Sequence, residues 1–160
     1  MTLHSAVSDA IHLSVEKVGR TIRAASDALK KIGIDRPRIA VSGLNPHASG
    51  AEEKEIIRPA IEGAKQQAIV DGPFGADTLL QREGYDAYVV MLHDQGHVAA
   101  KLLAPNGAAA LTIGTPVLFS SVAHGSALEI AGQGRADPAA MVEAITRLVG
   151  HRRRARATTR

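Results

Sequence analysis

A chain of 160 residues, 45% hydrophobic and 22% charged, has the size and balance of one ordinary globular domain that can bury a core. No window reaches the roughly 20 apolar residues that span a bilayer, and Met1-Thr2-Leu3-His4 is not expected to open a signal peptide, since neither a basic stretch nor an apolar one follows it. The absence of cysteine excludes disulfides and thiolate metal sites, so a cytoplasmic location is expected. The net charge is +3, yet Arg152, Arg153, Arg154, Arg156 and Arg160 all crowd one tail, residues 151–160, and the remaining body is slightly acidic. Such a tail is predicted to be a solvated, disordered end. Two Tyr and two Phe make no stacking platform, so neither nucleic acid nor a membrane is an expected partner.

Along the chain, Ile11, Val15, Val18, Ile22, Ala25 and Leu29 recur at three- and four-residue steps, predicting one amphipathic helix over residues 8–32. Ser8 or Asp9 would cap it and Gly33 would end it. Arg38 to Val41 is a β-branched strand, and Ser42 to His47 turns out of it. Glu52 to Gln67 reads as a second helix that Pro59 should kink or split. Ile69 to Pro73 predicts a strand and turn, Ala76 to Gln81 a helical turn or two, and Ala87 to Leu92 a strand covered on both faces. Ala108–Ile113 and Val117–Ser121 are two more strands, and Ser126–Ala131 and Pro138–Val149 are closing helices. Strands separated by helices predict an α/β fold, a mostly parallel sheet flanked by helices. Residues before His4 read as the tail end of a strand, so either the domain begins abruptly or the chain is the later part of a longer protein.

Three of the seven histidines stand at strand ends: His4 before the first helix, His47 in Asn45-Pro46-His47, and His93 in His93-Asp94-Gln95-Gly96-His97. Ligands of α/β sheets bind just beyond the carboxyl ends of strands, and three neutral imidazoles suit a catalytic divalent metal. Asp94 is either a partner that orients a ligand or a cap. The plainer alternative is that these are loop histidines facing water. Lys101, alone among aliphatic residues, either binds an anionic group, serves acid–base chemistry or snorkels to solvent. The stretch His124 to Pro138 places small residues at a helix start, where a ligand can approach the backbone. Its Glu129 suits a ribose diol and repels a 2′-phosphate. A Gly-rich junction chosen for packing is the other reading.

That stretch resembles the adenosine-binding motif of the β-hydroxyacid oxidative decarboxylases, the isocitrate and isopropylmalate dehydrogenase superfamily. Within it, the chain resembles the 4-hydroxythreonine-4-phosphate dehydrogenase family. Five separated motifs carry the likeness in order: Thr2-Leu3-His4, Gly43 to Ala48, Ala76-Asp77-Thr78, His93 to Gly96 with Lys101 after it, and His124-Gly125.

The resemblance implies an isopropylmalate dehydrogenase-like fold over residues 1–150, incomplete at the amino-terminal side. It implies an NAD-dependent oxidoreductase that oxidises a secondary alcohol of a small-molecule substrate and then decarboxylates the product. His4, His47 and His93 match the metal ligands, one of them given across a homodimer interface. Lys101 and Asp77 match catalytic, substrate-binding positions. His124, Gly125, Ser126, Ala127, Glu129 and Asp137 match the NAD site, with Asp137-Pro138 where Asn-Pro is usual. Three imidazoles favour zinc, while magnesium, manganese or cobalt could serve with waters in the shell. Three departures stand out. Ala110 and Phe119 occupy places where phosphate-binding members carry Asn and Arg. Leu102 to Ala108, with Ser120-Ser121 later, instead resemble the terephthalate dihydrodiol dehydrogenase branch. The loop after His47 is short, and the family's amino-terminal half has no counterpart here. The alternative is a catalytically inactive metal- or nucleotide-binding domain that needs a separate amino-terminal half.

Overall fold

The computed structural model describes residues 5–104, 108–117, 119–122, 124–146 and 148. The chain forms two compact units, Met1–Val98 and Ala99–Arg160. Among the described residues, no helix is long and apolar enough to cross a membrane.

The first unit is built on a three-stranded sheet of β1 (Arg38–Ser42), β2 (Ile69–Phe74) and β3 (Ala87–Val89), ordered β2-β1-β3. Both outer strands run parallel to β1, pairing Ile39 with Val70 on one side and with Ala87 on the other. The predicted α/β class with a parallel sheet is therefore present. β1 is the central strand and is buried from Ile39 to Ser42. The strand expected to be covered on both faces, Ala87–Leu92, is instead the outer strand β3, only Ala87–Val89, with Ala87 and Tyr88 half-buried because just one neighbouring strand pairs with it. Ile39 and Val41, two residues apart, face one side and join Val70, Val89 and Met91. That face is covered by α2 (Val15–Lys31), through Val18, Ile22 and Leu29, and by α3 (Arg58–Ala64), through Ala60, Ile61 and Ala64. Each fully buried Ile or Leu there contributes about 1.5–3 kcal/mol relative to exposure.

The single helix expected over residues 8–32 is two helices, α1 (Val7–Ala10) and α2. The break lies at Ser14, whose extended backbone and hydroxyl, accepting from Lys17 N at 3.2 Å, cap α2. Leu13 packs against the core cluster that holds Val18, so an apolar residue before the cap pins the helix entry. Ile11 and Val15, which fit the apolar periodicity, are instead exposed. The C-terminus behaves as expected: Gly33 takes φ 95°, its N–H reaches Lys30 O, and Ile34 N reaches Leu29 O.

Pro59 disturbs the second helix without splitting it, for residues 51–64 are helical without a break. A π-helical segment, Glu53–Ile57, runs straight into α3 just ahead of Pro59, a wider turn that accommodates the proline ring and its missing N–H within the helix. A short α4 (Ala76–Leu79) follows β2. Three of the four aromatics cluster beside it: Phe74 and Tyr85 meet edge-on at 6.4 Å, Tyr88 lies 6.2 Å from Tyr85, and the Arg82 guanidinium sits 3.9 Å over Phe74. The cluster is tied to the sheet by Tyr85 Oη, which donates to Asp71 Oδ2.

The second unit contains an antiparallel pair, β4 (Ala109–Thr112) and β5 (Phe119–Val122), registered Ala110 to Ser121. Residues 139–146 are helical. The helix expected over Ser126–Ala131 is a three-residue 3-10 turn, Leu128–Ile130. Ala127 at φ 47° prevents helix initiation upstream, and Gly132 at φ 75° ends the turn. A helix not anticipated from the sequence, α5 (His93–Leu103), begins in the first unit and continues into the second. None of its residues is buried, so it lacks the apolar stripe that betrays a helix in sequence. The basic tail, residues 151–160, lies outside the described residues.

Candidate functional site

Because β1, β2 and β3 are parallel, their carboxyl ends open on the same edge, and the segments that leave them meet there. Leu44 to His47 after β1, Ala76 and Asp77 after β2, and Gln95 in α5 line a cleft of about 320 Å³. Two of the sequence candidates, His47 and Asp77, therefore converge, and both are exposed at its mouth. His4 lies outside the described residues.

His47 owes its place to an unusual backbone. Pro46 starts a 3-10 turn, but His47 at φ 56° and Ala48 at φ 52° are both in the left-handed region, which costs a non-glycine residue free energy. The turn is held by a buried acid that the sequence reading passed over. Glu53, 1% exposed, accepts from the Leu44 and Asn45 backbone N–H groups through Oε1, each at 2.8 Å. Its Oε2 accepts from Asn45 Nδ2 at 2.9 Å, and the same amide donates to Glu52 Oε2 at 2.8 Å. Burial alone would raise the Glu53 pKa, but the donors from Asn45 and Leu44 together outweigh it and hold the carboxyl below its ordinary value. A Cβ at Gly50 would run into Asn45 Nδ2 and lie 2.7 Å from Glu53 Oε2, so any larger residue there would push the Asn45–Glu53 pair apart. The signal available in sequence was a Glu six residues beyond His47 at the start of a helix, which is ordinary enough to pass for a surface acid.

His93 begins α5. Its Nδ1 lies 2.6 Å from Asp94 Oδ1, the carboxylate–imidazole pairing that orients a histidine toward a metal through its other nitrogen. Its ring stacks on His97 one turn later, with centroids 4.2 Å apart. This donor chemistry fits a divalent metal held by imidazoles. Among the described residues, no three His, Cys, Asp or Glu side chains gather closely enough to hold one.

The second unit has its own cleft of about 650 Å³, within the range of small-molecule sites. Lys101, His124, Gly125, Ala127, Glu129 and Asp137 line it together with Ala104, Ala108, Ala136 and Ala140. Five of the six residues expected at a dinucleotide site thus share one recess with Lys101, over a floor of small apolar groups. Ser126, the sixth, is exposed beside them. His124 Nδ1 lies 2.9 Å from Gly125 O, and Asp137 Oδ1 accepts from Ala139 N at 2.9 Å, which satisfies an amide at the start of the last helix. Asp137 therefore has a capping role whatever else it contacts.

Comparison with known proteins decides the family. The family described as pyridoxal phosphate biosynthetic protein PdxA matches residues 1–148. This chain belongs to it. It is 47% identical over 155 residues to a 1,2-dihydroxy-3,5-cyclohexadiene-1,4-dicarboxylate dehydrogenase of a Comamonas species, covering 92% of this chain and 49% of that protein. Among solved PdxA-like structures, a 4-hydroxythreonine-4-phosphate dehydrogenase from Burkholderia phymatum superposes with TM-score 0.78 at 40% identity, over 94% of this chain and 48% of that one. A terephthalate 1,2-cis-dihydrodiol dehydrogenase from Burkholderia xenovorans LB400 superposes with TM-score 0.73 at 42% identity, over 89% and 48%. The chain spans about half the length of the PdxA-family relatives it matches.

Proposed function

We propose that this chain is the metal- and nucleotide-binding part of an NAD-linked dehydrogenase acting on a secondary alcohol that bears a carboxylate. The observation that carries the reading is the second-unit cleft, where Lys101 and the motif residues His124, Gly125, Ala127, Glu129 and Asp137 line one recess. Small side chains around His124 let a ligand approach the backbone, and the Glu129 carboxylate can accept from both hydroxyls of a ribose while repelling a 2′-phosphate. The Lys101 ammonium offers a cation to a substrate carboxylate. In the first unit, His47 and His93, joined by His4, would hold a divalent metal, with zinc best suited to imidazoles. Asp77 lines the cleft beside His47 and supplies an acceptor for a substrate hydroxyl. Bound in these places, the metal would acidify the alcohol and NAD would accept its hydride, leaving a β-keto acid able to lose carbon dioxide.

The substrate branch we favour is the dihydrodiol carboxylate. Ala110 and Phe119, on β4 and β5, put no cation where phosphate-binding members carry Asn and Arg, and the dihydrodiol dehydrogenases are among the similar proteins. A homodimer is the expected assembly. The second reading, an inactive binding domain that needs a separate amino-terminal half, rests on the half-length coverage.

Metal analysis of the purified chain, followed by calorimetric titration with NAD, separates these readings. Near-stoichiometric metal and saturable NAD binding with turnover of a cis-dihydrodiol carboxylate support the dehydrogenase. Binding without turnover supports the second reading. His47→Ala should lower metal affinity by orders of magnitude at unchanged helix content, and full metal occupancy in that variant would sink the three-histidine site.

A further inference from the structure

We propose that Gln95 is a positioning residue that locks the His47 loop to the start of the His93 helix. The inference deepens the reading above and rests on it, because the lock matters for chemistry only if the two histidines serve one site. The side-chain amide of Gln95 has two faces, and each meets a different element. Its Oε1 accepts from Met91 N and Leu92 N, both at 3.0 Å, at the junction between β3 and α5. Its Nε2 donates to Gly43 O at 3.2 Å, at the foot of the loop that carries His47.

The first pair of bonds satisfies backbone donors just ahead of α5, as a glutamine in the first turn of a helix commonly does. The Gly43 bond is different, because it reaches 52 residues back along the chain to the end of β1. On the β2 side the Gly43 N–H donates to Phe74 O at 2.7 Å, and its carbonyl also accepts from the neighbouring Ser42 hydroxyl at 2.7 Å, so the Gln95 bond is what ties it to the β3 side. Gln95 thus closes the third side, so that the carboxyl ends of all three strands are cross-linked at the cleft. Two donors on one face and an acceptor on the other require a primary amide. A carboxylate could keep the two accepted bonds but would turn a bare oxygen toward Gly43 O. Asparagine is one methylene too short to span the gap.

Gln95→Glu therefore separates the cap from the lock. The expected result, read by amide hydrogen exchange, is unchanged protection at Met91 and Leu92 with faster exchange through residues 43–49. Cobalt titration of the same samples should show an affinity lowered by about 10- to 100-fold, the usual effect of losing a group that orients a ligand. Gln95→Met, which removes all three bonds without adding charge, should loosen both segments and carries the comparison if the Glu variant does not fold. Unchanged exchange in residues 43–49 in both variants overturns the proposal. So does faster exchange there that only matches faster exchange at Ile39 to Val41, since that reports general loosening of the sheet. An unsubstituted chain that takes up no cobalt overturns the metal reading alone, and the exchange comparison still decides the part played by Gln95.

Discussion

Glu53 shows how one buried carboxylate can hold a loop that lines a cleft. It is ionised in a site almost closed to water, and it is stable there because two backbone amides and the Asn45 amide surround it. Its folded-state pKa lies below the ordinary value, so the unfolded chain takes up the proton first as pH falls. The stability it contributes is therefore complete above the unfolded-state pKa and is lost as pH drops through the folded-state value. Glu53→Gln turns an NH₂ toward one of these donors and should cost about 1–3 kcal/mol near neutral pH. Urea unfolding from neutral to acid pH should show the gap between variant and parent closing on the acid side. A constant gap would mean that the carboxylate charge plays no part. At the other cleft, Glu129→Lys replaces the group suited to a ribose diol with one suited to a 2′-phosphate, so NAD should weaken and NADP strengthen. Paired calorimetric titrations check this, and an unchanged preference would leave the His124 segment as a packing junction.

At the scale of elements, the start of α2 is the instructive case. Apolar spacing ran without interruption from Ile11 to Leu29, yet the helix begins only after Ser14. Periodicity registers which residues could face a core. It does not register where a hydroxyl takes a backbone donor and stops the helix. Ser14→Ala should cost about 1 kcal/mol, measured by thermal or urea unfolding, whereas Ser8→Ala should change stability little because α1 has no side-chain cap. Pro59 was legible because its ring excludes a preceding helical carbonyl wherever it sits. The turn at Leu128–Ile130 was not, since it depends on Ala127 taking a left-handed backbone that alanine shows only under tertiary constraint. The helix α5 went unread for a complementary reason: with no buried face, its residues carry no pattern.

For the whole molecule, the feature with the largest consequence is apolar surface left to solvent. Leu102, Leu103, Val117 and Phe119 in the second unit are 78%, 75%, 74% and 62% exposed, a large apolar load for one small unit to leave in water. Covering them in a homodimer would remove that surface from solvent. Sedimentation velocity should show self-association, and the double variant Leu102→Glu, Phe119→Glu should shift the chain toward monomer. A parent chain that is monomeric at all concentrations tested would argue against the dimer. The sequence by itself determined the α/β class, the disturbance of the helix at Pro59, the stop at Gly33 and the family, because each rests on local stereochemistry or on motifs read in order, whereas which strand lies at the centre of the sheet was not legible. Tertiary structure alone decided that His47, Asp77 and Gln95 would share a cleft and that Glu53 and Gln95 would hold its walls. Hydrogen bonds between segments distant along the chain leave no trace in spacing; they exist only once parallel strands bring their carboxyl ends to one edge.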